Sequence, residues 1–376
     1  MKRTVFITGY PRQLARLIAE ESLEDPEVTA VMLVRPRHHG EWGAWAQRLG
    51  ERAARVEAVL GDVSSIDLGL SGAAYRALAT RADVIHHAAV ATAEGEQVRL
   101  AEQLNLQGTR ELIALVDAAH GWGRRPRVVI QSSVRVAGDF VGTLSEADLE
   151  LGQGFRGPIE SSLFRAERAW RRAPAAWGVT VVRRALMVGH SVTGEVDLLD
   201  GLYVLILLLL SAPVDLQVVP LPVIGEQPLN IVPVDFVARA SVALGQDVTM
   251  AGQTVHLVDP SPLPVRRVWE LLARASSKQL GRGVVPVHVA RALLSAPGLE
   301  RLARSPRAFF DQVASRAWFG ASNSQRWLRG AAIECPPFAG YAEVLVGAVR
   351  ARLAASPMRR VEAVEAREAD ADDPLW

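Results

Sequence analysis

The residues best suited to chemistry by type and spacing are those that could hold phosphate. Gly9 ends a β-branched run and precedes a helical pattern, the arrangement in which a helix N-terminus binds a pyrophosphate. The expected Gly-x-x-Gly-x-x-Gly spacing is broken, because Arg12 and Ala15 stand at its second and third positions. Arg12 either places its guanidinium on the pyrophosphate or fills the site and excludes a cofactor. A turn that binds no ligand is the third interpretation.

A second set of basic residues follows the next strand-like run. Arg35 and Arg37 stand where an acidic residue would hold the ribose 2′-hydroxyl of NAD, whereas arginine accommodates the 2′-phosphate of NADP. They favour NADP(H) if any dinucleotide binds. A solvated basic strand end is the alternative.

Strands alternate with helices around these residues, which predicts a Rossmann-type α/β fold with a doubly wound parallel sheet. The predicted strands are 4–7, 28–34, 56–63, 82–90, 128–133 and 179–184, with helices from 13, over 41–55 and over 105–120. Ligands of such sheets bind at the carboxyl ends of the strands. The candidate cofactor contacts there are Thr8, Gly9, Pro11, Arg12, Arg35, Arg37, Asp62, Val63, Ala88, Ala89, Ser132 and Arg184.

Beyond residue 190 the pattern changes. We expect a Rossmann domain over 1–190 and a smaller, mostly helical substrate lobe over 191–355 that is interleaved with the last sheet strands. Helices are predicted over 236–244 and 268–275, a short strand over 255–258, and mostly helix over 286–354. The acidic stretch 356–376 lacks periodicity, which predicts disorder. The apolar run 202–214 is too short to span a bilayer and predicts a buried helix or a pocket wall, with contact at a membrane surface as the alternative.

Composition excludes several classes of function. The 376 residues carry a net charge of +1, which gives no indication of nucleic-acid binding. The one cysteine, Cys335, excludes an internal disulfide and a cysteine-based metal cluster, and it fits a reducing cytoplasm. The first strand begins at residue 4, which leaves no room for a signal peptide. We therefore expect a cytoplasmic protein with no metal site and no transmembrane segment.

Several short motifs, taken together, resemble one family. They are Ile7-Thr-Gly-Tyr-Pro11, Leu33-Val-Arg35, Leu60-Gly-Asp-Val63, Val84-Ile-His-His-Ala-Ala89, Asn105-Leu-Gln-Gly-Thr109, Ser132-Ser-Val-Arg-Val-Ala-Gly138, Met187-Val-Gly-His-Ser-Val-Thr-Gly194 and Asn230-Ile-Val-Pro-Val-Asp235. The chain resembles extended short-chain dehydrogenases/reductases, and within them the thioester-reductase and fatty-acyl-CoA-reductase (male sterility) branch. The resemblance implies a homodimer formed by pairing helices, and the apolar run 202–214 favours a hydrophobic or acyl-type ligand.

The catalytic residues that this resemblance implies are a serine, a tyrosine and a lysine four residues after the tyrosine. Ser133 matches the serine that steadies the substrate oxygen, but Ile159 falls at the tyrosine position and Leu163 at the lysine position. No other register restores the pair, since neither Lys2 nor Lys278 follows a tyrosine by four residues. Standard Tyr/Lys catalysis is thereby excluded.

Three hypotheses follow. The first is a pseudoenzyme that acts by binding a nucleotide, a lipid-like ligand or a partner protein. The second is a working NADP(H)-dependent reductase of an acyl thioester, aldehyde or hydrophobic ketone, with Glu160 or His190 as substitute acid. His190 also reads as an ordinary loop histidine. The third is an interaction protein that docks through its tail or its apolar segment.

Overall fold

The computed structural model describes residues 2–92, 101–211, 218–222, 228–285 and 315–355. Its strands are β1 (Arg3–Thr8), β2 (Val28–Val34), β3 (Val56–Leu60), β4 (Val84–His87), β5 (Arg127–Ser133), β6 (Gly142–Leu144), β7 (Val179–Arg184), β8 (Leu186–Val188), β9 (Val218–Pro222), β10 (Pro228–Leu229), β11 (Ile231–Pro233), β12 (Thr254–Leu257), β13 (Leu263–Pro264), β14 (Gln279–Val285) and β15 (Ala317–Phe319). Seven of them form one parallel sheet in the order β12-β7-β5-β4-β1-β2-β3. The predicted Rossmann-type sheet is confirmed.

Ten helices accompany these strands in the described part of the chain. They are α1 (Gln13–Ser22), α2 (His39–Gln47), α3 (Gly72–Arg81), α4 (Gly108–Gly121), α5 (Pro158–Arg171), α6 (Leu202–Ser211), α7 (Val234–Gln246), α8 (Val265–Ala275), α9 (Ser322–Gly330) and α10 (Ala342–Ala354). A wider π-helical turn, Gln103–Gln107, leads into α4, so the predicted helix is regular only from Gly108.

Two predicted strands and one predicted helix were too long. β3 ends at Leu60 because the chain turns at Gly61, where a Cβ atom would lie 2.4 Å from the carbonyl oxygen of Leu68. β4 covers only Val84–His87. The helix predicted over 41–55 divides into α2 and a 3₁₀ helix at Gly50–Arg55, and Gly50 adopts a φ of +61° between them.

Helices cover both faces of the sheet. Leu14 and Ile18 of α1 pack with Phe236 of α7 on one face, and Leu112 of α4 packs with Leu163 of α5 on the other. Burial of such apolar surface, worth about 25 cal/mol per Å², is the main force that holds the layers together. These layers fix the strand ends at one edge of the sheet.

The chain beyond residue 190 adds both a sheet strand and a second core. β12 extends the main sheet beside β7. The apolar run forms helix α6, which is buried against α8 and α10, with Leu202 and Leu207 at zero exposure. Among the described helices none combines the length and apolarity needed to cross a bilayer. The predictions for 212–214, 286–314 and 356–376 lie outside the described residues.

Buried histidines make the fold sensitive to acid. Burial lowers the pKa of His86 from 6.5 to about 3 and that of His87 to about 4. The unfolded chain therefore takes up protons as the pH falls below 6.5, and the folded chain does not. The free energy of unfolding therefore decreases as the pH falls from 6.5 to about 4, by about 1.4 kcal/mol per pH unit for each histidine.

We expect His86→Gln to reduce this loss. The free energy of unfolding should fall between pH 7 and pH 5 by about 2 kcal/mol less than in the unmodified protein, because one of the buried titrating groups is gone. Urea unfolding at the two pH values measures the difference, and each variant is its own control. Equal losses in both proteins would contradict the assignment.

Candidate functional site

The carboxyl ends of β1, β4, β5 and β7 border a cleft of about 140 Å³. Four of the predicted site residues line it: Arg12, Ala88, Ser133 and Arg184. Residues beyond position 190 close its other side, including Leu198 and Tyr203. The parallel sheet thus brings these predicted contacts together, as its topology requires.

The turn after β1 is too tight for any residue but glycine. Gly9 has a φ of +106°, and a Cβ atom there would lie 2.8 Å from the carbonyl carbon of Ala88. The Thr8 hydroxyl lies 2.8 Å from Nδ1 of His87 and accepts a hydrogen bond from the Ala89 amide at 3.3 Å. Pro11 is buried in the same turn. These contacts hold β1 against β4 and set the start of α1.

A carboxylate of the chain itself occupies the N-terminus of α1. Asp197 accepts a hydrogen bond from the amide of Gln13, and its other oxygen lies 3.0 Å from the Arg16 guanidinium. The Gln13 side chain donates to the Glu195 carbonyl at 2.9 Å. A helix N-terminus favours an anion through its free amides and its dipole. Asp197 supplies that anion here.

The end of β2 contains an ion pair. The Arg35 Nε lies 3.0 Å from one oxygen of Asp62, and the other oxygen accepts hydrogen bonds from the amide and hydroxyl of Ser64. Arg37 is exposed, with its Nε 3.2 Å from Nε2 of His38. Val63 is buried against Gly108 at the start of α4. Arg37 is thus the more accessible of the two basic residues.

Ser132 and Ser133 face different partners. The Ser132 hydroxyl donates to Glu167 at 2.7 Å and belongs to a buried polar network. The Ser133 hydroxyl donates to the carbonyl of Arg184 at 3.4 Å and accepts from the amide of Arg135 at 3.3 Å. Only Ser133 therefore lies in the cleft lining.

Helix α5 presents aliphatic side chains toward the strand ends. Ile159 is 3% exposed and Leu163 is 2% exposed, and both pack in the apolar cluster on that face of the sheet. Leu163 borders a small cavity of about 10 Å³ beside Asn105. The Asn105 amide donates to the Ser162 hydroxyl at 2.9 Å. Neither aliphatic residue can carry a proton.

Glu160 lies in a second, smaller cavity. Its carboxylate accepts the Arg156 amide at 2.9 Å and lies 3.3 Å from the Arg156 Nε and 3.7 Å from Arg135. This cavity, of about 40 Å³, also borders Gly138 and Phe319. Arg135 separates Glu160 from the larger cleft, because it lines both.

His190 is a loop residue. Its Nδ1 accepts a hydrogen bond from the Val192 amide at 3.1 Å and lies 3.9 Å from Asp235. It is not among the described residues that line either cavity. The neighbouring Gly189 does approach the cleft, since its amide donates to the Tyr203 hydroxyl at 2.7 Å.

Comparison with known proteins identifies the family. A family model described as male sterility protein, for an NAD-binding domain, matches residues 7–241, which is more than half of the chain. The chain belongs to this family. The resemblance in the sequence motifs is confirmed.

Individual relatives agree with this assignment. A protein of Emericella nidulans named glycine betaine reductase ATRR is 25% identical over 293 residues, 71% of this chain, and the chain spans only 22% of that relative's length. The terminal R domain from the myxalamid PKS-NRPS pathway is similar in structure, with a TM-score of 0.78, 24% identity and coverage of 93% of this chain and 91% of that domain. The reductase domain of a non-ribosomal peptide synthetase from Mycobacterium tuberculosis gives a TM-score of 0.69, 21% identity and coverage of 93% and 92%.

The residues at the strand ends suit a dinucleotide only at the adenosine end of the site. Asp62, Val63 and Arg37 suit the adenosine end, with polar groups and an exposed cation at the ends of β2 and β3. The pyrophosphate end does not fit in the conformation described, because Asp197 holds the first amide of α1 and Arg12 stands where a glycine is expected. The carboxylate must leave before a pyrophosphate could take its place.

Sequence reasoning missed the two residues that most change this site. Asp197 meets Gln13 across 184 positions, and no local pattern marks that contact. Tyr203 was read as part of an apolar run, yet it lines the cleft and its pKa is raised by burial. An isolated tyrosine at the start of an apolar helix was the one signal available.

We expect Asp197→Ala to strengthen NADPH binding. Removal of the competing carboxylate frees the N-terminus of α1, and a charge-assisted contact of about 1.5 kcal/mol corresponds to about a tenfold change in the dissociation constant. Titration followed by NADPH fluorescence measures it. Glu195→Ala is the matched control, since Glu195 also contacts Arg16 but its carboxylate does not reach the α1 amides. Unchanged or weaker binding in Asp197→Ala would show that the carboxylate does not compete.

Proposed function

We propose that this chain is a ligand-binding member of the male sterility family that does not carry out Tyr/Lys proton transfer, and that its nucleotide is NADP(H). The observation that carries the proposal is the burial of Ile159 and Leu163 on α5, where the family resemblance places the acid and the residue that activates it. Reduction of a carbonyl requires a proton on its oxygen, and two aliphatic groups supply none.

The other groups near the cleft support the same conclusion. Ser133 already donates to a carbonyl oxygen, and Glu160 is held between two guanidinium groups. Tyr203 is the one tyrosine in the described lining, and burial raises its pKa, opposite to the lowering that a neighbouring lysine would cause. A tyrosine whose pKa is raised by burial is a weaker proton donor.

The proposed ligand is a hydrophobic or acyl-type molecule. Much of the cleft wall is apolar, and the similar proteins reported above are named as reductases or reductase domains. Their activities are not transferred to this chain. The homodimer and the cytoplasmic location stay predictions.

We expect the purified chain to show no measurable reduction of an acyl thioester or aldehyde with NADPH. Ile159→Tyr with Leu163→Lys should gain slow turnover, because both groups return to one face of a helix that lies beside Ser133. The control, Ile159→Phe with Leu163→Met, introduces side chains of similar size to tyrosine and lysine that carry no acidic proton, and it should stay inactive. NADPH oxidation measured at 340 nm, with product analysis, checks each variant. Turnover of the unmodified chain at ordinary rates, roughly 1–1000 per second, would overturn the proposal.

The proposed nucleotide preference has its own test. NADPH should bind more tightly than NADH by about 2–4 kcal/mol, because Arg35 and Arg37 can pair with a 2′-phosphate. Arg37→Ala should remove part of that difference, while Arg266→Ala, in the C-terminal lobe, should leave it unchanged. Isothermal titration with both nucleotides measures the dissociation constants. Equal constants for NADH and NADPH would rule out the preference.

A further inference from the structure

Two adjacent arginines at the end of β7 are both buried, but only Arg183 has a counter-ion among the described residues. Arg183 is fully buried and pairs with Glu167 at 2.7 Å. Arg184 is 6% exposed and forms no salt bridge with a described residue. Its Nη2 donates to the Thr92 hydroxyl at 3.4 Å, and its Nε has no partner in the described part of the chain. A buried charge is costly unless it is paired, so the position of Arg184 needs an explanation.

The charges around Arg184 do not provide that explanation. Burial, and after it the positive charge of Arg12 in the same cleft, lowers the pKa of Arg184 to about 10. Asp197 also lines the cleft, but its oxygens contact Gln13 and Arg16. The guanidinium thus lies in a cleft that it shares with the positive charge of Arg12.

The rest of the cleft is suited to an apolar group. Its wall beside Arg184 consists of Ala185, Leu186, Met187, Val188, Leu198 and Tyr203. The volume of about 140 Å³ is close to that of a cavity of about 150 Å³ that accepts benzene. A ligand that satisfies both features has one negative charge and a compact apolar body.

We propose that this cleft binds a small monocarboxylate, with its carboxylate on the Arg184 guanidinium and its hydrocarbon part against the wall formed by residues 185–188. The proposal rests on the proposed function, because it names the ligand class of the same non-reducing site. The planar fork of a guanidinium matches a carboxylate through two parallel hydrogen bonds. Inorganic phosphate suits the site less, because it has no hydrocarbon part to bury against the apolar wall.

Hexanoate is a suitable probe, with hexanamide as its neutral counterpart and inorganic phosphate as the competing anion. Isothermal titration of the full chain should show hexanoate binding, with hexanamide about tenfold weaker or more, as expected for the loss of a charge-assisted hydrogen bond. Arg184→Met should abolish hexanoate binding and Arg184→Lys should retain part of it. Arg266→Met, an exposed arginine in the C-terminal lobe, is the control and should bind as the unmodified chain does.

The melting temperature without ligand separates this role from a structural one. Arg184→Met should keep or raise the melting temperature, because it removes a buried cation that has no counter-ion in the described part of the chain, whereas removal of a residue from a structural ion pair would lower it. Equal affinities for hexanoate and hexanamide, or unchanged hexanoate binding in Arg184→Met, would overturn the proposal. Tighter binding of phosphate than of hexanoate would also overturn it.

The two proposals fail in different measurements. Rapid NADPH-dependent reduction by the unmodified chain, together with hexanoate binding that depends on Arg184, would overturn the proposed function alone. An inactive chain that does not bind hexanoate would overturn the carboxylate site alone.

Discussion

The buried contact between Glu167 and Arg183 holds the site together. Arg183 Nη2 lies 2.7 Å from the Glu167 carboxylate, which also accepts the Ser132 hydroxyl at 2.7 Å and the Arg171 Nε at 3.1 Å. The same guanidinium donates to the carbonyl oxygen of Ser145 and lies 3.1 Å from His256 on β12. Helix α5 is thereby tied to three strands of the sheet. Breaking such a buried pair typically costs about 3–5 kcal/mol, because it leaves an uncompensated charge.

This contact explains how α5 keeps its position on the sheet although it carries aliphatic side chains at the tyrosine and lysine positions. Ile159 and Leu163 lie two and one turns before Glu167 on α5, where the ion pair and the apolar cluster position them independently of any catalytic role. Aliphatic side chains in these places add apolar burial to the layer between α4 and the sheet. The fold can therefore lose a proton donor and keep its stability, which is why a Rossmann-type architecture does not by itself establish an oxidoreductase activity.

The parts of the molecule that the sequence predicts are those with local signatures. The run at β2 is mostly apolar, and β7 begins with four β-branched residues before its two arginines. The tight turn at Gly9 follows from its place between a strand and a helix. Contacts between distant segments have no such signature. Nothing in the sequence near Asp197 indicates that it contacts α1. The neighbouring arginines 183 and 184 look alike in the sequence, although among the described residues only Arg183 forms an ion pair.

The difference between these two arginines follows from the alternation of side chains along a strand. Arg183 points to the face covered by α5, where it pairs with Glu167, and Arg184 points to the side on which the cleft lies. At the other end of that cleft, the positive end of α1 is already satisfied by Asp197. The N-terminus of α1 and the Arg184 guanidinium thus both give positive potential to one cleft, and Asp197 neutralises the first of them. At Arg184, no carboxylate of the described residues plays the part that Asp197 plays at α1, so a carboxylate from an external ligand would supply the same kind of contact there.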